Sequence, residues 1–95
     1  MQYVVHAYDH TGPDALDRRM AARPAHLAYV SQLKEKGQFL LGGALLDPDG
    51  KMIGSMLMLD METEDELSTY LETDPYIVQG VWDKIDVKPF RQANV

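Results

Sequence analysis

A handful of side chains in this sequence have the chemistry to move a proton or hold an anion. His26 stands in the run Arg23-Pro24-Ala25-His26-Leu27. Counted at 3.6 residues per turn from Pro24, His26, Val30 and Leu33 fall on one face, with Leu27 beside them. A histidine within an apolar stripe suits two roles. It is a core residue bonded to a backbone carbonyl, or a general acid or base at the mouth of a pocket. Asp74 precedes Pro75. It suits a helix cap, or the carboxylate that orients an imidazole and selects its tautomer. Arg19 and Arg23 lie four apart. Arg19 reads as solvated charge paired with Asp14 or Asp17. Arg23 stays open as an anchor for a carboxylate or phenolate, which guanidinium binds in forked geometry. Ser55, beside Gly54, has a hydroxyl for a ligand, but no spacing to a histidine marks it as a nucleophile.

These residues need elements to position them. Gln2 to Tyr8 alternates as a strand, with Tyr3, Val5 and Ala7 on one face. Asp14 can cap a first short helix whose inner face carries Leu16 and Met20. Pro24 disfavours helix in the residue before it, so a break is expected near Arg23. A new helix then starts at Pro24 and ends at Gly37, which puts His26 in its first turn, near the positive helix end. Phe39 to Leu46 reads as a strand containing Gly42-Gly43. Asp47-Pro48-Asp49-Gly50 is a tight turn returning into a third strand, Met52 to Met61. Thr63 and Glu66 form a capping box for a helix that buries Leu67, Tyr70 and Leu71. Asp74-Pro75 ends it and starts a short turn through Gly80, before a last strand from Val81 to Val87.

The order strand, helix, strand, strand, helix, strand predicts an α+β, ferredoxin-like βαββαβ fold. It comprises a four-stranded antiparallel sheet with its helices on one face. The third strand is apolar on both sides, with Leu57 and Leu59 on one and Met56 and Met58 on the other. Trp82 is expected on the uncovered side as well. Such a face marks an interface, so a homodimer with the open sheet faces packed together is expected.

At 95 residues the chain is the size of one domain, spanning positions 1–95. Fifteen acidic side chains against nine Lys and Arg, net charge -6, argue against a nucleic-acid footprint. No apolar run has membrane-span length, and Met1 to Val5 lacks the features of a signal peptide, so a cytoplasmic location is the expectation. There is no cysteine for thiol chemistry or thiolate ligation. His6, Asp9, His10 and His26 have no diagnostic metal spacing. With no phosphate loop and no dinucleotide fingerprint, no cofactor and no metal are expected.

Arg23-Pro24-Ala25-His26-Leu27, Asp74-Pro75-Tyr76 with Gly80, and Val87-Lys88-Pro89-Phe90 resemble the YciI-like (YCII-related domain) family, in the right order and over nearly the whole chain. Gly54-Ser55 is similar to a further family element. The resemblance implies a ferredoxin-like fold and the dimeric assembly of the α+β barrel superfamily. It also implies a histidine–aspartate pair in a cleft, here His26 and Asp74. One related activity is dehydrochlorination of a chlorinated hydroxyquinol, and the wider superfamily includes muconolactone isomerase. Two functions follow as expectations. One is a cofactor-free lyase- or isomerase-type enzyme moving a proton on a small aromatic or anionic molecule. The other is a non-catalytic dimer that binds a metabolite or a protein.

Overall fold

The computed structural model describes residues 1–95. Along the chain run β1 (Gln2–Asp9), α1 (Ala15–Glu35), β2 (Phe39–Leu46), β3 (Met52–Asp60), α2 (Glu64–Thr73), α3 (Pro75–Val78) and β4 (Trp82–Phe90). The strands form one sheet in the order β2-β3-β1-β4, every neighbouring pair antiparallel. This is the ferredoxin-like α+β arrangement, with the helices gathered on one face.

Period-two patterning sets that face. Tyr3, Val5 and Ala7 of β1 are buried, and Leu59 and Leu57 of β3 pair with Tyr3 and Val5 in the same row. Ala22, Val30 and Leu33 of α1 and Tyr70 of α2 close over them. On the other side Val4, His6 and Tyr8 stand with Met58, Met56 and Gly54.

Two glycines matter to the site's placement. Gly37 takes φ +76° and stops α1 in the left-handed conformation that a β-carbon disfavours. A β-carbon on Gly54 would sit 2.4 Å from the carbonyl oxygen of Ala7. Only glycine lets β3 close on β1 there, one residue before Ser55. The expected capping box is present: Thr63 Oγ1 accepts from the Glu66 N–H at 3.2 Å, and Glu66 Oε1 accepts from the Thr63 N–H at 3.2 Å.

Three expectations are corrected. The helix does not break at Arg23: α1 is continuous through Pro24, and Asp14 makes no side-chain cap. A proline inside a helix costs about 3 kcal/mol. Burying a Val or Leu side chain stabilises by about 1.5–3 kcal/mol each, so Val30 and Leu33 alone offset it. The inner face before Pro24 is Arg19 and Ala22; Leu16 and Met20 are exposed. Arg19, Ala22, His26, Val30 and Leu33 make one unrotated stripe, stepping by three and four. Trp82, finally, lies on the covered side and is 5% exposed. The β1–β4 register shifts between Tyr8 and Asp9, so Tyr8 pairs with Lys84 but Asp9 with Trp82. That bulge at Asp83 reverses the alternation and turns the indole inward.

Candidate active site

Asp74 ends α2 and caps α3, where Pro75 occupies the first position and needs no donor partner. Its Oδ1 accepts the Tyr76 N–H at 2.9 Å. The same oxygen lies 2.8 Å from His26 Nδ1, and Oδ2 accepts the Tyr70 hydroxyl at 2.5 Å. The cap and the imidazole partner are therefore one carboxylate, and it is 0% exposed. An ionised carboxylate only accepts. Set among donors, Asp74 draws the ring proton to Nδ1, and a neutral His26 then carries a bare Nε2. That nitrogen has no hydrogen-bond partner in the chain.

The neighbours hold this arrangement. The His26 ring stacks on Tyr76 with centroids 3.8 Å apart and planes 8° off parallel, and meets the Trp82 indole edge-on at 6.2 Å. Burial, then the negative charge of Asp74, push the Tyr70 phenol far above its ordinary range, so it remains a donor. Burial also raises the Tyr76 phenol, against an opposing pull from Arg19 and Arg23. The continuous α1 removes one expected influence. His26 lies about three turns inside the helix, beyond the reach of the helix-start charge.

A second cluster adjoins the first. Arg19 Nη1 donates to both carboxylate oxygens of Asp9, at 3.0 and 3.2 Å, and Nη2 donates to Ser55 Oγ at 2.9 Å. Trp82 Nε1 donates to the same Oγ at 3.3 Å. The guanidinium also lies 4.7 Å from the centre of the Tyr76 ring. Arg19 is thus a buried structural cation, contrary to its reading as solvated charge paired with Asp14 or Asp17. Burial raises the Asp9 carboxyl above the ordinary range, while Arg19 and, more weakly, His10 pull it back.

Arg19, Arg23, His26 and Ser55 line one cleft of about 90 Å³, with Leu27 and Phe39 among its apolar walls. Arg23 is exposed at its rim and makes no ion pair within the chain. The largest concavity, about 510 Å³, lies between the Asp9–Leu16 loop and the Asp47 turn and reaches none of Arg23, His26, Ser55 or Asp74. The smaller cleft holds the convergent polar groups, which decides between them. His6, Asp9 and His10 do not converge with His26 as a metal site would require. His6 sits on the open sheet face against Tyr8, His10 lies 3.8 Å from Asp83, and Asp9 is held by Arg19.

Sequence reasoning passed over Asp9, Arg19, Tyr70 and Trp82 as parts of the site. Three of them carried a signal. Asp9 continues the inward row Tyr3-Val5-Ala7 by one step. Arg19 lies seven residues, two turns, before His26. Tyr70 lies four before Asp74, one helical turn away.

A ferredoxin-like sheet with a buried histidine–aspartate pair opening on a small cleft defines the class. The YCII-related domain family matches residues 1–91, and the chain belongs to that family. The protein YciI of Escherichia coli O6:H1 is 32% identical over 98% of this chain and 99% of its own length. Among solved structures, the 5-chloro-2-hydroxyhydroquinone dehydrochlorinase TftG of Burkholderia phenoliruptrix AC1100, in complex with 2,5-dihydroxybenzoquinone, superposes with a TM-score of 0.84 at 28% identity. The match covers 98% of this chain and 96% of that one. Rv0793 of Mycobacterium tuberculosis shares the fold alone: TM-score 0.53, 14% identity, 98% and 97% covered.

Proposed function

We propose that this chain is an enzyme of small-molecule metabolism, of lyase or isomerase type, in which His26 moves a proton and Asp74 orients it. The observation that carries the reading is the 2.8 Å contact of His26 Nδ1 with a fully buried carboxylate. The free Nε2 takes a proton from a hydroxyl or an activated carbon of the substrate. The imidazolium that forms lies against Asp74, which stabilises it. Returning the proton to another atom completes an isomerisation; loss of a leaving group with its electron pair completes an elimination. No step calls for a cofactor. Arg23 and Ser55 contact the substrate from the cleft wall. The likeness to a dehydrochlorinase supports the elimination arm and points to hydroxylated aromatic compounds.

The working form in this proposal is a homodimer packed through the open sheet face. Val4, His6 and Tyr8 of β1 and Met56 and Met58 of β3 form its centre. Tyr8 is 45% exposed and Leu41, on β2 beside Met58, 51%. Apolar exposure on this scale supports an interface.

Turnover tests the function. Wild type, His26→Ala and Asp74→Asn are offered 5-chloro-2-hydroxyhydroquinone and a panel of hydroxylated aromatics. His26→Ala is expected to slow turnover about 10²–10⁴-fold, the usual contribution of a placed general base. Asp74→Asn keeps the size and capping ability but lets the wrong tautomer form, so it damages turnover more than stability. Tight binding with no turnover by wild type would favour a non-catalytic binding module instead.

A further inference from the structure

The geometry points to an oxyanion subsite in the His26 cleft, built from the Ser55 hydroxyl, Arg19 Nε–H and the Arg23 guanidinium. It would take the deprotonated oxygen of a phenol or enol. This deepens the proton-transfer reading above, on which it rests.

A serine hydroxyl has two acceptor sites and one proton to donate. Ser55 Oγ accepts from Arg19 Nη2 at 2.9 Å and from Trp82 Nε1 at 3.3 Å. Both acceptor sites are filled, so its own proton must go elsewhere. No acceptor in the chain receives it, and Ser55 is 2% exposed. Such a group carries a desolvation penalty unless a partner arrives.

Arg19 repeats the pattern independently. Its two terminal nitrogens are committed to Asp9 and Ser55, yet Nε is buried with no partner. The residue is 2% exposed and lines the same cleft as Ser55. Arg23, the third member, has no carboxylate of its own. The residues that line the cleft thus carry three unused donors, two of them on guanidinium groups, and one bare acceptor, Nε2 of His26.

A ligand that matches this set has an anionic oxygen for the donors and a removable proton for the histidine. A hydroxylated ring already ionised at one oxygen meets both demands. The arrangement also explains how a cleft in a chain of net charge -6 selects an anion. The acids nearest the cleft, Asp9 and Asp74, are each tied to an internal donor set.

Equilibrium binding tests the subsite without any turnover. Trp82 is the one tryptophan and bonds Ser55 directly, so its fluorescence reads the cleft. The probes are 4-nitrophenolate, at mildly alkaline pH, and its neutral methyl ether 4-nitroanisole, with calorimetry as the second readout. The anion is expected to bind at least tenfold more tightly than the ether. Ser55→Ala and Arg23→Gln are each expected to weaken the anion by about tenfold or more, from the loss of one charge-assisted hydrogen bond. Ser55→Ala strips partners from Arg19 and Trp82, so Arg23→Gln, at an exposed position, guards against a folding artefact. Equal binding of ether and anion, or unchanged anion affinity in Arg23→Gln, overturns the subsite. Anion-selective binding by a wild type that turns nothing over upholds the subsite and overturns the proton-transfer reading. Turnover with no anion preference does the reverse.

Discussion

Asp74 and Asp9 are both buried, and their partners separate what they do. Asp74 collects a hydroxyl, a backbone N–H and an imidazole, and so stands as an acceptor toward His26. Asp9 faces one guanidinium, and burial still raises its carboxyl above the ordinary 3.8. Above that value the unfolded chain has released the proton that the folded protein still holds. The stability contributed by neutral Asp9 is therefore fully present below pH 3.8 and is lost as pH rises through the folded pKa. Urea unfolding of wild type and Asp9→Asn across this range should show it. The stability of wild type relative to the variant should fall with rising pH. A relative gain would mean that Arg19 holds Asp9 below 3.8 and that burial is the weaker influence.

At the scale of elements, α1 decides the site, and Pro24 is the feature that misleads. Local chemistry says a proline ends the preceding helix. The stripe Arg19, Ala22, His26, Val30 and Leu33 says otherwise, because its steps of three and four never change phase. Tertiary packing outweighs one missing hydrogen bond. Pro24→Ala should accordingly stabilise the protein by about 1–3 kcal/mol, read as a higher denaturant midpoint with an unchanged slope. An unchanged or lower midpoint would show that Pro24 fits its place without strain. The last strand runs past its expected end at Val87 to Phe90, held by pairing with β1, but the second strand, the Asp47 turn and the Thr63 capping box were legible because each depends on a few adjacent residues. So was the pairing of His26 with Asp74, which came from the family resemblance rather than from spacing. Arg19 was hidden by the wrong helix phase. Trp82 was hidden by a bulge at Asp83, and no adjacent residue announces a bulge whose cause lies in pairing with β1. The uncommitted proton of Ser55 was beyond reach, since it depends on donors from α1 and β4 arriving together.

At the scale of the molecule, one sheet face is covered by helices and houses the cleft, and the other carries Val4, His6, Tyr8, Met56 and Met58 without cover. No helix is long and apolar enough to cross a membrane. Sedimentation at micromolar concentration is expected to give a dimer, and Met56→Lys with Met58→Lys a folded monomer. A wild-type monomer would contradict the interface. The central claim, however, is that the fold delivers a histidine whose proton sits on Nδ1 and whose Nε2 is free. Long-range proton–nitrogen NMR correlation reads the two ring nitrogens of His26 separately, in the intact protein and without a substrate. In the neutral ring a protonated, pyrrole-type Nδ1 and an unprotonated, pyridine-type Nε2 are expected, with that preference weakened in Asp74→Asn. A neutral wild-type ring carrying its proton on Nε2 would contradict the claim.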